Sequence, residues 1–194
     1  MGAALAALET RAAESAGSVA RFKNTERVFV SPSELGQAAV TGTWALEYNT
    51  NVLSLATDDA GTTNLIDVPF PVPFSDLVSQ SADVDRGVRI VGLEVIYQVA
   101  ASALGAVSLT LYRNTVTAAA AVSAAAVTAT TTFDTDGDAG TEIDTHVIRI
   151  AIAARDRTFV DSAHFPTAVF SATDGTSSDV NIMGAVWHIE RTME

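Results

Sequence analysis

Residues 88–116 read VRIVGLEVIYQVAASALGAVSLTLYRNTV, and the fold depends on how this stretch is parsed. Its first part, VRIVGLEVIYQVA, is dense in β-branched and aromatic side chains and alternates in character. Leu93, Val95, Tyr97 and Val99 fall on one side of an extended chain, Glu94 and Gln98 on the other. Val107, Leu109 and Leu111 repeat the pattern in the second part, after a small-residue turn around ASALG. The expected element is an antiparallel hairpin.

Further strands flank it. HVIRIAIAA (146–154) places Ile148, Ile150 and Ile152 on one face, with Arg149 opposite. AVFSAT (168–173) and NIMGAVWHIE (181–190) follow, the latter with Met183, Ala185, Trp187 and Ile189 on a common side. Upstream, Trp44, Leu46 and Tyr48 alternate with Thr43, Ala45 and Glu47, and short strands are expected near 51–56 and 64–68. In PFPVPF, prolines 69, 71 and 73 remove alternate amide donors, which forbids a central strand. An extended edge strap is expected there, with Phe70, Val72 and Phe74 directed toward one surface as partner-binding residues. TAAAAVSAAAVTATTT (117–132) mixes helix-forming alanine with strand-forming valine and threonine, and is read as a loose turn followed by one strand from about Val122 to Phe133. Eight or nine strands with regular turn signals and no long helix predict an all-β fold. An antiparallel β-sandwich is expected, with jelly roll as its topology.

The N-terminal region reads differently. AALAALETRAAESA (3–16) is rich in helix formers and stops at Gly17. In SPSEL, Ser31 is a candidate N-cap, Pro32 a first-turn proline and Glu34 the closing residue of a capping box, with a short helical turn through about Ala38. The division expected is an arm of short helices over 1–38 and a sandwich domain over 39–194. Phe22, Phe29 and Val30 are the apolar anchors of that arm.

Composition excludes several chemistries. Among 194 residues there is no cysteine, hence no disulfide, thiolate zinc site or cysteine nucleophile. Twenty-three acidic residues against ten arginines and Lys23 give a net charge of −12, which repels nucleic acid and anionic membranes. No apolar run is long enough for a membrane-spanning helix. Glu9, Arg11 and Glu14 interrupt the N-terminus, which does not read as a signal peptide, so synthesis in a cytoplasm is expected.

The segment FDTDGDAGTEID (133–144) most resembles a chemical site. Asp134, Asp136 and Asp138 match the first, third and fifth positions of an EF-hand loop. The glycines, however, fall at 137 and 140, Ala139 takes the position that needs glycine, and Thr145 stands where the bidentate glutamate belongs. An irregular calcium cage using Asp134, Asp136, Asp138 and Glu142 or Asp144 is the alternative to a solvated acidic turn; the turn is preferred, because Asp and Gly are what turns select. No cofactor is expected otherwise.

His146, His164 and His188 lack the paired spacing of metal ligands, and His146 and His188 are expected to face solvent. No G-x-S-x-G elbow or phosphate-binding glycine loop occurs. Glu47, Glu94 and Glu190 could be imagined as hydrolytic carboxylates, although glutamates on strand faces are usually just solvated. Tyr97 and Trp187 fall on apolar sides, whereas Tyr112 lies opposite Leu109 and Leu111 and is the best candidate for an exposed, sugar-stacking aromatic. No enzymatic activity is expected.

RGVRIVGLEVIYQVAASALGAVSLTLYRNTV, HVIRIAIAA and VNIMGAVWHIER, together covering roughly residues 86–191, resemble the β-sandwich proteins of tailed-bacteriophage virions, of head-decoration (cement) or fibre type. The resemblance implies a non-enzymatic subunit that trimerises and sits on the capsid surface of the virion, contacting the major capsid protein. The alternatives are a small single-jelly-roll capsid protein that forms the shell itself, and a carbohydrate- or receptor-binding sandwich module.

Overall fold

Strand β12 (Asp179–Met193) runs through the middle of the larger of two antiparallel sheets. The computed structural model describes residues 22–35, 39–41, 44–48, 52–57, 65–71, 87–117, 122–134, 139–157, 164–173 and 178–193. In chain order the other strands are β1 (Phe22–Val30), β2 (Ala39–Thr41), β3 (Trp44–Tyr48), β4 (Leu53–Thr57), β5 (Leu65–Pro71) and β6 (Gly87–Val99). They continue with β7 (Ala106–Val116), β8 (Val122–Ala126), β9 (Ala129–Phe133), β10 (Thr145–Ile152) and β11 (His164–Thr173).

One sheet has the order β3-β4-β12-β6-β10-β9, with β1 also paired to β12; the other has the order β2-β5-β11-β7-β8. Within them, β4-β12-β6-β10 faces β5-β11-β7-β8, and the chain passes between sheets at β1–β2, β2–β3, β4–β5, β5–β6, β6–β7, β8–β9, β10–β11 and β11–β12. This is the strand order of a jelly roll, as expected from the sequence.

The hairpin expected from residues 88–116 does not form. β6 pairs with β10 and β12, while β7 pairs with β11 and β8 in the opposite sheet. Alternation reports which side of a strand is buried, not which strand lies beside it. The connection instead spans the end of the sandwich, where backbone hydrogen bonds hold it. Ala100 N–H donates to Asp179 O, Leu104 N–H to Thr141 O and Gly105 N–H to Thr173 O, at 2.8–2.9 Å. The single strand expected over 122–133 is likewise divided between sheets. Its break is at Val127 and Thr128, where Val127 N–H donates to Leu111 O at 2.8 Å.

Residues 22–30 correct the arm that was expected over 1–38. They form β1, paired residue for residue with β12 from Phe22↔Met193 to Val30↔Ala185. β12 thereby uses one edge twice, β4 covering Asp179–Ile182 and β1 covering Ala185–Met193. Gly184 lies in the gap between them at φ 148°, a backbone conformation that side-chain-bearing residues rarely adopt. The ring of Phe29 lies against it: a Cβ on Gly184 would fall 2.6 Å from Phe29 Cζ. Residues 1–21 lie outside the described residues.

The capping box survives as a single 3₁₀ turn, Pro32–Glu34, in which Ser31 N–H donates to Glu34 Oε2 at 2.8 Å. That backbone bond, with help from the Ser31 hydroxyl, holds the Glu34 carboxyl below its ordinary range.

Residues 65–71 form a sheet strand, β5, which is internal only at its start and an edge where the prolines lie. It pairs with β11 along Leu65–Pro71, but with β2 only along Leu65–Asp67. Pro69 and Pro71 lie beyond the end of β2, where the missing amides cost no ladder bond on that side. Phe70, Phe170, Tyr97 and Trp187 are the largest fully buried side chains of the core, which also holds Leu53, Leu55 and Ile182. Burying a side chain such as Phe70 contributes about 1.5–3 kcal/mol.

Candidate interaction surface

The acidic segment is tied down by its backbone. Tyr97, fully buried on β6, donates its hydroxyl to Gly140 O at 2.7 Å. Gly140 has φ 66°, and a Cβ there would fall 2.2 Å from the Tyr97 hydroxyl. The carboxylates around it point elsewhere. Asp134, Glu142 and Asp144 are exposed; Glu142 Oε2 accepts from Thr141 N–H and Asp144 Oδ1 from Thr145 N–H. Asp136 and Asp138 lie outside the described residues. No group of three metal-ligating side chains occurs among the described residues.

The histidines do not behave as a set. His146 was expected to face solvent but is buried: its ring packs 5.5 Å from that of Tyr97 and its Nε2 lies 2.9 Å from Glu142 O. The alternation Thr145-His146-Val147-Ile148 puts it on the core side with Ile148, and the imidazole fits because a loop carbonyl is within reach. His188 is on the outer face, half-buried, with Nε2 3.0 Å from Glu94 Oε1. The same oxygen lies 3.3 Å from Arg149 Nε on the facing position of β10. Glu94 is thus a cross-strand ion-pair partner. Glu190 is buried and accepts from Arg157 Nη1 at 2.9 Å, while Glu47 is exposed. These contacts tie strands and loops together, which is a structural role.

The residues expected to meet partners divide. Phe29 is 56% exposed on the outer face, whereas Val30 and Phe70 are fully buried core residues and cannot reach a partner. Only the backbone of Phe22 falls within the described residues, as the first residue of β1, and Val72 and Phe74 lie outside them. Tyr112, expected to be exposed, is half-buried and lines a shallow groove with Leu111, Ile152, Phe165, Asp156 and His164.

A surface that sequence reasoning passed over lies along one side of the sandwich. β8 and β9, joined by two residues, are the outermost strands of the two sheets. All five residues of β8 are exposed, as are Thr130, Thr131 and Thr132 of β9. Side chains alternate along a strand, so exposure of all five leaves both sides of β8 uncovered. From Asn114 to Phe133 the chain carries no charged residue and no proline, the longest uncharged run in a sequence that is 18% charged. In the next longest, 95–112, alternate residues of β6 and β7 are buried in the core, among them Val95, Tyr97, Val99, Leu109 and Leu111. The signal was present as low complexity, but composition alone did not say that the run was an exposed edge.

No protein-family model matches the chain, and no curated protein matches it. Among solved structures it is similar to the enzymatically active domain of tailspike protein 4 of bacteriophage CBA120, at TM-score 0.34 and 4% identity. The match covers 85% of this chain but 19% of that one, and at this score it carries no argument about function.

Proposed function

We propose that this chain is a non-enzymatic structural subunit of a tailed-phage virion, a decoration protein that binds and stabilises the capsid lattice as a homotrimer. The observation that supports this reading is the exposed, uncharged β8–β9 edge on an otherwise acidic jelly roll, a surface suited to packing rather than to turnover. The carboxylates and imidazoles that could have served chemistry lend support from the other direction. Glu94, Glu190 and His146 are engaged with Arg149, Arg157 and a loop carbonyl. The resemblance of residues 86–191 to virion sandwich proteins supplies the setting.

Co-sedimentation of the purified protein with phage heads that lack a decoration layer tests the proposal. Saturable binding that raises the heat or chelator resistance of the heads is expected; absence of binding would overturn it. Light scattering separates the neighbouring readings, since a shell-forming protein would give large closed particles.

The groove beside Tyr112 favours one second reading, a carbohydrate-binding module, because an aromatic wall next to Asp156 and His164 suits a sugar ring. Glycan-array binding that Tyr112→Ala abolishes would support it over the first.

A further inference from the structure

We infer that the β8–β9 edge is the face through which this chain binds further copies of itself, rather than the face that meets the capsid. The inference rests on the reading of a self-associating virion subunit and names the surface responsible.

Among the described residues β8 has one neighbour, β7, with which it pairs without a bulge from Tyr112↔Ala126 to Val116↔Val122. Its other side has no strand partner among the described residues. Soluble proteins blunt such edges with lysine, proline, bulges or inward-pointing charges. Residues 114–133 contain no lysine, proline or charge, and the pairing of β8 with β7 has no bulge. The strand is also a poor one by composition, Val-Ser-Ala-Ala-Ala, because alanine and serine gain little from a pleated surface with one neighbour. Small side chains do, however, allow a second backbone to approach closely on either side. With β9 the edge extends over Val122–Phe133, about 40 Å of nearly extended chain.

Charge selects the occupant. Each copy carries −12, so two copies repel wherever their carboxylates face one another. Contact between copies is favoured where those carboxylates are missing, and this edge lies within residues 95–133, the longest stretch of the sequence that lacks them. A foreign partner of an acidic protein would instead be steered by complementary charge, and the edge offers none. An uncharged strand of small residues is complementary to itself.

The test uses the full chain. Ser123→Glu with Ala125→Glu places like charges on exposed positions of β8 without touching the core, and Ala101→Glu adds charge at an exposed site off the edge. Analytical ultracentrifugation should find an oligomer for the wild type and for Ala101→Glu. The double variant should be a monomer of unchanged melting temperature, and the wild-type association should strengthen as added salt screens the acidic bodies. Because the protein has no cysteine, Ala124→Cys is a clean probe should the double variant fail to fold. Oxidation should link it into covalent dimers, while Ala101→Cys should not link.

A monomeric wild type would overturn the inference, as would an oligomer that survives both glutamates or fails to cross-link through residue 124. So would association that appears only after residues 1–21 are deleted, since the chain's own N-terminal segment would then be what covers the edge. Head binding distinguishes this inference from the function on which it rests. A wild-type oligomer that the glutamates dissociate but that never binds heads removes the decoration role and leaves the interface standing. A head-binding oligomer indifferent to the glutamates does the reverse.

Discussion

The hydroxyl of Tyr97 on β6 donates to the carbonyl of Gly140 at 2.7 Å, in the buried end of the sandwich. A fully buried phenol needs a partner, and Gly140 supplies one by adopting φ 66°. Together with His146 Nε2 against Glu142 O and Leu104 N–H to Thr141 O, this bond makes the second half of the acidic segment a lid on the core.

Removing the hydroxyl should therefore cost stability. Tyr97→Phe leaves Gly140 O without this donor at about 1–3 kcal/mol. Gly140→Ala should cost more, since it adds backbone strain to a Cβ lying 2.2 Å from the phenol oxygen. Urea denaturation midpoints measure both, and an unchanged midpoint for Tyr97→Phe would mean that the bond contributes nothing.

Phe70 and Phe29 should separate core from surface. Phe70→Ala opens a cavity between the sheets and is expected to lose about 3–5 kcal/mol. Phe29→Ala removes a ring that is 56% exposed and should lose about 1 kcal/mol or less, through uncovering Gly184. Equal losses in thermal or chemical unfolding would contradict the burial of Phe70.

Phe29 and Gly184 should also be energetically coupled. Gly184→Ala forces the ring aside because the new Cβ would fall 2.6 Å from Phe29 Cζ. In a Phe29→Ala background only the backbone strain remains, so the second substitution should cost less. A double-mutant cycle with a coupling of about 0.5 kcal/mol or more is expected; strict additivity would rule out the contact.

Arg157→Ala should be costly for a residue so near the surface. It removes the Arg157 guanidinium from the buried Glu190 carboxylate, an effect of up to about 3 kcal/mol. Adding Glu190→Gln should recover much of that loss, which a calorimetric melt of the single and double variants would reveal. No recovery would place the effect of Arg157 elsewhere.

Calcium should leave the protein unaltered. A cation held by Asp134, Glu142 and their neighbours in the folded chain alone would raise the melting temperature by mass action. The expected outcome is an unchanged melt in millimolar calcium and no heat in calorimetric titration. A saturable rise would restore the metal reading.

The faces of the strands were legible in the sequence, residue by residue. Leu93, Val95, Tyr97 and Val99 are buried as their alternation required, and so are Ile148, Ile150 and Ile152 with Arg149 outside them. The pleat is a local property, so a sequence reports it directly. His146 shows where that reading fails: an ionisable side chain on the core side is tolerable only if a partner arrives from elsewhere, in this fold Glu142 O.

The sequence by itself determined an all-β chain, the inward side of β6, β7 and β10, and the exclusion of thiol chemistry; on β12 it placed Met183 inward with Ala185, Trp187 and Ile189, whereas the bulge before Gly184 puts Ile182 in the core instead. Tertiary structure alone decided that β6 and β7 lie in opposite sheets, that residues 22–30 belong to the sandwich, and that one uncharged stretch forms one edge of each sheet. The physical reason is range. Alternation and turn propensity act between near neighbours in the chain. Strand partnership depends on hydrogen bonds between residues such as Val28 and Trp187, or Leu104 and Thr141, which only the closed fold brings together.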